Sequence, residues 1–303
     1  PGTQVGDDSD EGSAVAAQPD GKLLVAGYAY NGSNEDFTVL RYNSDGSPDL
    51  TFGSAGQVFT PIGTSNDRAT AIVLQPDGKI VTSGYALSGN NDFAVVRYNS
   101  DGSLDASFGT AGKVTTPVGT GADQAYALVL QPDGKIVVAG NAVVGGNNDF
   151  AVVRYTSAGA LDTTFGTGGK VTIPIGSGTS DTAFALGLQN DGKLVAAGES
   201  ATDLAVVRLN TDGTLDVSFD ADGKLTTSIN TGADRGSAIA LPGDGKIVVA
   251  GHTRAGTTDD FALVRYNSDG SLDTSFDTDG KVSTPIGTTH DRANAVMLQS
   301  DGK

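Results

Sequence analysis

Carboxylates and imidazoles are the side chains best suited to proton transfer near neutral pH, and this chain uses two of them sparingly. Glutamate occurs only at Glu11, Glu35 and Glu199, and histidine only at His252 and His290. Glu199 and His252 each follow an Ala-Gly pair, where matching positions elsewhere hold Tyr28, Tyr85 and Asn141. A Glu–His pair at equivalent positions could do acid–base work; solvated loop residues that merely vary are the plainer expectation. Tyr28, Tyr85, Asn141, Glu199 and His252 are the candidates for a binding face. No Gly-x-Ser-x-Gly, phosphate-binding loop, dinucleotide fingerprint or zinc spacing is present, so no catalytic residues are assigned and the chain is expected not to be an enzyme.

Aspartate, by contrast, is placed by rule. Asp10, Asp67, Asp123, Asp181, Asp234 and Asp291 each lie ten residues before the Asp of an Asp-Gly-Lys triplet. A second series is Asp36, Asp92, Asp149, Asp203 and Asp260. Two carboxylates per repeat on oxygen-rich loops could hold Ca²⁺, with the first series as the metal candidates; turn capping by the same side chains is the competing and preferred reading. Phe219–Gly223 and Phe276–Gly280 resemble the start of a calcium loop but lack its remainder, and other repeats read Phe-Gly-Thr-Ala-Gly there, which favours a turn. Arg41, Arg97, Arg154, Arg208 and Arg265 each precede an Asp by eight residues: Asp49, Asp105, Asp162, Asp216 and Asp273. They could bind an anion. A residue needed once for chemistry need not appear five times, so a structural Arg–Asp pair is expected. The densest charge, Asp7, Asp8, Asp10 and Glu11, reads as a solvated terminus or a cation-bridged contact.

These spacings come from one repeat. Leu74-Gln75-Pro76-Asp77-Gly78-Lys79-Ile80-Val81 reads as strand, tight turn, strand, because Pro, Asp and Gly each favour a turn. The triplet recurs at 20–22, 77–79, 133–135, 191–193, 244–246 and 301–303, in steps of 53 to 58 residues. A period of about 56 residues points to a stacked array or a propeller. In the second repeat, strand A is expected at 69–75, B at 79–85, C at 93–99 and D at 113–118. Burial is expected to fall from A at the axis to D at the rim. The chain holds five A-B-C-D sets and a sixth strand A at 293–299. That strand would be surplus to a five-bladed ring, or its partners would lie in further chain or come from another copy. Loop length varies only in the B–C and D–A connections, which emerge on one face, so functional variation is expected there.

Composition narrows the classes. The 303 residues include 43 Gly, no Trp, one Met and 6% aromatics, so small apolar residues must fill an all-β core. The net charge is −17, and lysine falls only in the triplet or before strand D. No basic patch is left for phosphate, which argues against nucleic acid. There is no cysteine, and no apolar run long enough to span a membrane. The chain begins mid-pattern, so a processed or trimmed start is expected.

Leu130–Gly140 (LQPDGKIVVAG), Asn148–Tyr155 (NDFAVVRY) and Leu161–Gly166 (LDTTFG) resemble the delta-60 repeat, a bacterial tandem repeat regarded as β-propeller-forming. The likeness covers essentially the whole chain; a weaker one, in strand order, is to NHL-type propellers. Departures are Gln189-Asn190 and Leu241–Gly243 before two turns, and Asp220 and Asp277 in place of Gly. The resemblance implies a propeller in a secreted or surface protein and carries no catalytic residues. The chain is thus expected to be one all-β propeller domain over 1–303, with five complete repeats of four-stranded antiparallel blades and one extra inner strand. It is expected to act as a non-enzymatic extracellular structural or binding scaffold that partners proteins or copies of itself, without nucleic acid, cofactor or membrane span. Alternatives are a glycan-acting propeller enzyme, with Glu199 and an Asp about 5–10 Å apart, and a calcium-dependent adhesion module; a surface glycan is a further candidate partner.

Overall fold

The computed structural model describes residues 10–302; Thr3–Gly6, Asp7, Asp8 and Lys303 lie outside the described residues. The chain is a β-propeller of antiparallel four-stranded sheets. The first sheet is β1 (Glu11–Ala17), β2 (Leu23–Tyr30), β3 (Glu35–Tyr42) and β4 (Gln57–Thr60). The second is β5 (Asp67–Leu74), β6 (Ile80–Ser88), β7 (Asn90–Tyr98) and β8 (Lys113–Thr116). The third is β9 (Gln124–Leu130), β10 (Ile136–Val144), β11 (Asn147–Tyr155) and β12 (Lys170–Ile173). The fourth is β13 (Asp181–Leu188), β14 (Leu194–Ser200), β15 (Asp203–Leu209) and β16 (Lys224–Thr227). The fifth is β17 (Asp234–Ala240), β18 (Ile247–Ala255), β19 (Thr258–Tyr266) and β20 (Lys281–Thr284). The five sheets match the five repeats in A-B-C-D order. One compact unit comprises the chain up to Val138 with Arg154–Asp162; the other comprises Ala139–Val153 and the chain from Thr163 onward.

The turn chemistry works as the residues require. Gly78 has φ +84, and the Gln75 N–H donates to the Lys79 carbonyl at 2.8 Å. Three expectations need correction. The second and third strands run further than the 79–85 and 93–99 expected, because β6 and β7 stay paired out to Ser88 and Asn90 around a one-residue turn. The fourth strand ends at Thr116 rather than 118, since Pro117 has no N–H for the ladder. Burial also does not fall steadily from A to D. The middle strands are the most buried, as in β6 and β7, while β5 alternates with half-exposed residues. Strand A is a sheet edge, with a ladder partner on one side only.

The sixth copy of the inner-strand sequence (293–299) follows β20 and has no ladder of its own. It is held to the fifth sheet by the Asp291 N–H on the Asp259 carbonyl (2.6 Å) and the Ala293 N–H on the Gly251 carbonyl (3.2 Å).

A bulge interrupts β1, β5, β13 and β17, with register shifts at Gly12/Ala14, Ala69/Ala71, Ala183/Ala185 and Gly236/Ala238. It pushes the carbonyls of Glu11, Arg68, Thr182 and Arg235 into the space a Cβ would need at Gly27, Gly84, Gly198 and Gly251. The repeated glycine before the candidate binding residues is therefore a backbone-approach requirement. The bulge itself re-aims the side chains beside it.

Candidate functional site

At the blade end bearing the A–B and C–D connections, the chemistry is the same in each sheet. Arg41 Nε donates to Asp49 Oδ2 at 2.7 Å, and Arg97, Arg154, Arg208 and Arg265 do the same to their aspartates at 2.6–2.8 Å. The guanidiniums of Arg41, Arg97, Arg208 and Arg265 lie 4.5–4.7 Å from the ring centres of Phe52, Phe108, Phe219 and Phe276. Arg41, Arg97 and Arg208 also reach the next blade, donating to the carbonyls of Ser100, Ser157 and Ser268 at 2.5 Å. The Lys193 ammonium meets Asp216 at 2.7 Å. Burial would raise the Asp216 carboxyl, but Lys193, Ser218 and Arg208 outweigh it and hold it well below the carboxylate range. This is the structural Arg–Asp pair, and it also staples one blade to the next. Asp220 and Asp277 have φ +48 and +45 where Gly53 and Gly109 have +53 and +52, so both calcium-like stretches are turns.

At the opposite end the capping series behaves as turn chemistry. Asp67 accepts from the N–H groups of Ile62 (2.7 Å) and Gly63 (3.1 Å), and Asp123 from Val118 and Gly119 (2.6 and 2.8 Å). Asp181 accepts from Ile175, Asp234 from Ile229, and Asp291 from Ile286 and Gly287. Asp10 accepts weakly from Tyr30 N–H at 3.3 Å. Among the described residues no group of three or more acids or histidines is arranged to hold a metal ion.

The same end carries the residues that differ from blade to blade. Tyr28 faces Glu11 across the ladder and donates to its Oε2 at 2.8 Å; Tyr85 faces Arg68. Arg68 is clamped to Glu35 through two N–H donors and stacks 4.5 Å over the Tyr28 ring. In the second unit Asn141 is buried in β10, Glu199 faces Thr182, and His252 faces Arg235. Arg235 occupies the position of Arg68, one residue after the capping Asp. Where Glu35 stands before Asp36, Thr202 stands before Asp203. Arg235 lies over the ring of Phe184, the residue extruded by the β13 bulge, at 3.2 Å from its centre.

The electrostatics set Glu199 and His252 apart from the rest. Both are half-buried. Burial pushes the Glu199 carboxyl up, and the positive charge of Arg235 opposes it. Burial pushes the His252 imidazole down; Asp259 opposes this, and Arg292, Arg235 and Arg254 add to it. Arg235 therefore acts on both groups. Arg235, across the ladder from His252, thus acts on a carboxyl raised by burial and an imidazole lowered by burial, a set whose chemistry could give a proton, take one and hold an anion.

The family described as "Domain of unknown function (DUF5122) beta-propeller" matches residues 18–52, 75–108, 131–165, 189–219 and 243–276. The chain belongs to this family. No curated protein matches the sequence. Among solved structures, a putative oxidoreductase (glucose dehydrogenase) from Thermus thermophilus is 14% identical, covering 99% of this chain and 91% of its own, with TM-score 0.52. A polysaccharide lyase of the ulvan lyase family is also 14% identical, covering 88% of this chain and 69% of its own, with TM-score 0.50. At that identity the likeness is one of fold. It nevertheless corrects the expectation of a non-enzymatic scaffold, which was drawn from the missing catalytic motifs and the unpaired sixth strand: the same fold is shared with proteins named as enzymes.

The sequence reading found Glu199 and His252 but missed Arg235, Arg254 and Arg292. Nine arginines are present, and five form the Arg–Asp column. Of the remaining four, three (Arg235, Arg254, Arg292) act on His252. The signal was there in the departure from the repeat.

Proposed function

We propose that this chain acts on an acidic glycan by elimination, with Arg235 clamping a uronate carboxylate, His252 as base and Glu199 as acid. His252 takes the proton from the carbon next to the carboxylate, the bond from the adjacent ring carbon to the glycosidic oxygen breaks, and a ring double bond forms. Glu199 donates its proton to the departing oxygen. Arg235 holds charge that builds on the carboxylate as the proton leaves. No co-reactant is needed. The observation that carries the reading is the single guanidinium acting on an acid and a base whose proton affinities are shifted in opposite directions. Elimination suits this set better than hydrolysis, which pairs two carboxylates: the charged partner of Glu199 is Arg235, not an aspartate. The fold partner named as a polysaccharide lyase indicates only that such a fold can house this class of reaction. The delta-60-like repeat supports an extracellular setting, where polymeric glycans are met.

The test is incubation with a panel of uronate-containing polysaccharides, following ultraviolet absorbance of the unsaturated product and the release of reducing ends. The expected result is that both rise together and that His252→Ala and Glu199→Gln each lower the rate by about 10²–10⁴-fold. Reducing ends without absorbance would mean hydrolysis, and no change on any substrate would end the reading.

A further inference from the structure

A second cationic feature lies in the same unit. Asp259, on β19, is fully buried and receives two guanidiniums. Arg254 Nε donates to Oδ1 at 2.9 Å, and Arg292 Nε donates to Oδ2 at 2.8 Å, with its Nη2 on the same oxygen. His290 Nδ1 lies 3.2 Å from the Asp259 backbone nitrogen and 3.1 Å from Asp259 Oδ2, which leaves Nε2 as the ring nitrogen that these contacts do not use. Burial would raise the Asp259 carboxyl, but the bonds from Arg254 and Arg292 bring it down to about 2, so it stays ionised. One negative charge thus faces two positive ones. The donor side chains are not enclosed: Arg254, Arg292 and His290 are 42%, 49% and 53% exposed. Among the described residues, both Nη groups of Arg254, Nη1 of Arg292 and Nε2 of His290 make no hydrogen bond. Three further carboxylates stand close: Asp291, whose Oδ2 is occupied by the N–H groups of Ile286 and Gly287, Asp260, next to Asp259 on β19, and Asp234, whose Oδ1 takes the Thr253 hydroxyl.

We infer that Arg254, Arg292 and His290 form a binding site for an oxyanion, and that in the substrate this is a second charged substituent, a sulfate ester or carboxylate. The guanidinium fork matches the paired oxygens of such groups, and a guanidinium is weakly hydrated, so little is lost on binding. Asp259 pre-orients both forks, which lowers the ordering cost of capture. The chain carries −17 overall, but charges beyond about 8 Å are screened at physiological ionic strength, so the local cluster sets the field at the site. The cluster does not repeat: of the first, second and fifth sheets, a Glu35–Arg68 clamp marks one junction, and only the fifth assembles two arginines and a histidine on one acid. Identifying the ligand as a glycan substituent rests on the function proposed above; the oxyanion site itself does not.

The test is calorimetric titration of the intact protein with inorganic sulfate and, separately, with glucuronate, at fixed ionic strength. Wild type should bind sulfate, Arg254→Gln should weaken it by about tenfold, Arg254→Lys should fall between, and Arg254→Gln/Arg292→Gln should abolish it, with unchanged circular dichroism throughout. Tighter binding of sulfate than of glucuronate would assign the site to sulfate esters; the reverse would assign it to carboxylates. Absence of binding of either ion to wild type, or wild-type affinity in the folded double variant, overturns the inference. Oxyanion binding without turnover of any glycan would overturn the proposed function and leave this site standing.

Discussion

The two ends of each blade use arginine in opposite ways. At the C–D end, Arg208 is more than nine-tenths buried, bonded to Asp216, stacked on Phe219 and bonded to the carbonyl of Ser268 in the next blade, and Arg41 and Arg97 repeat that pattern. At the other end, Arg235 stands at a position whose environment changes with every repeat: Glu35 and Tyr28 around Arg68, Phe184, Glu199 and His252 around Arg235, Asp259 around Arg292. Repetition at fixed spacing answers a need that every blade has, which is attachment to its neighbour. Singularity at an equivalent spacing answers a need that arises once. One side-chain type thus separates scaffold from site when it is read against the repeat rather than alone.

Arginine truncation gives the largest effect and the sharpest test of this contrast. Arg208→Ala leaves a buried aspartate with Lys193 as its one charged partner and removes the bond to Ser268, so it should destabilise by about 3 kcal/mol, the low end for breaking a buried pair. Arg235→Gln should alter denaturant stability far less and remove glycan turnover. Equal stability losses in the two variants, measured by urea titration, would erase the distinction between the two ends.

Much of the scaffold was legible in the chain. The Asp-Gly-Lys turns gave the five blades, and the eight-residue Arg-to-Asp spacing gave the clasp, because both are local and repeated. The reach of Arg208 to Ser268 was not legible, since sequence spacing says nothing about which carbonyl of another blade comes near. The ends of the second and third strands were missed because Ser88 and Asn90 carry no strand propensity and are paired only by their position beside Gly89. The burial order was misjudged because Ala71, Ile72 and Val73 read as buried on both sides, while an edge strand remains half-open. At the site, Glu199 and His252 stood out by rarity. Their link through Arg235 depends on the β13 bulge and on β17 packing beside β14, which no spacing reveals.

Glu199→Gln sharpens the comparison by a smaller effect with a defined pH dependence. The folded-state carboxyl is raised by burial, so its contribution is favourable below the ordinary glutamate value and is lost as pH rises through the raised one. The amide removes that loss. The variant should therefore melt higher than wild type at neutral pH and equally in acid, while its activity falls by about 10²–10⁴-fold. His252 runs the other way: lowered by burial, it is costly to charge, so its unfavourable effect appears below the ordinary histidine value, as pH falls toward the lowered one. A Glu199→Gln melting gain that persisted unchanged into acid would mean that the carboxyl is not raised in the folded state.

The smallest expected effect concerns the capping aspartates, which repeat like the clasp yet sit at the variable end. Asp234 Oδ1 accepts from the Thr253 hydroxyl directly across the ladder, and Asp181 faces Ser200. Asp67 instead faces Ala86, and its Oδ1 is buried with no hydrogen-bond partner. Burial raises the Asp67 carboxyl, with Asp36 adding to it against the Ile62 and Gly63 donors. Ala86→Ser places a hydroxyl where the fourth and fifth blades already have one, and should add about 1 kcal/mol. The gain should be full where Asp67 is ionised and fade as pH falls through its folded-state value. Thr253→Ala should remove a similar amount from the fifth blade. If Ala86→Ser leaves the melting temperature unchanged at neutral pH, the lone oxygen is met by water, and the second blade is capped as fully as the fifth.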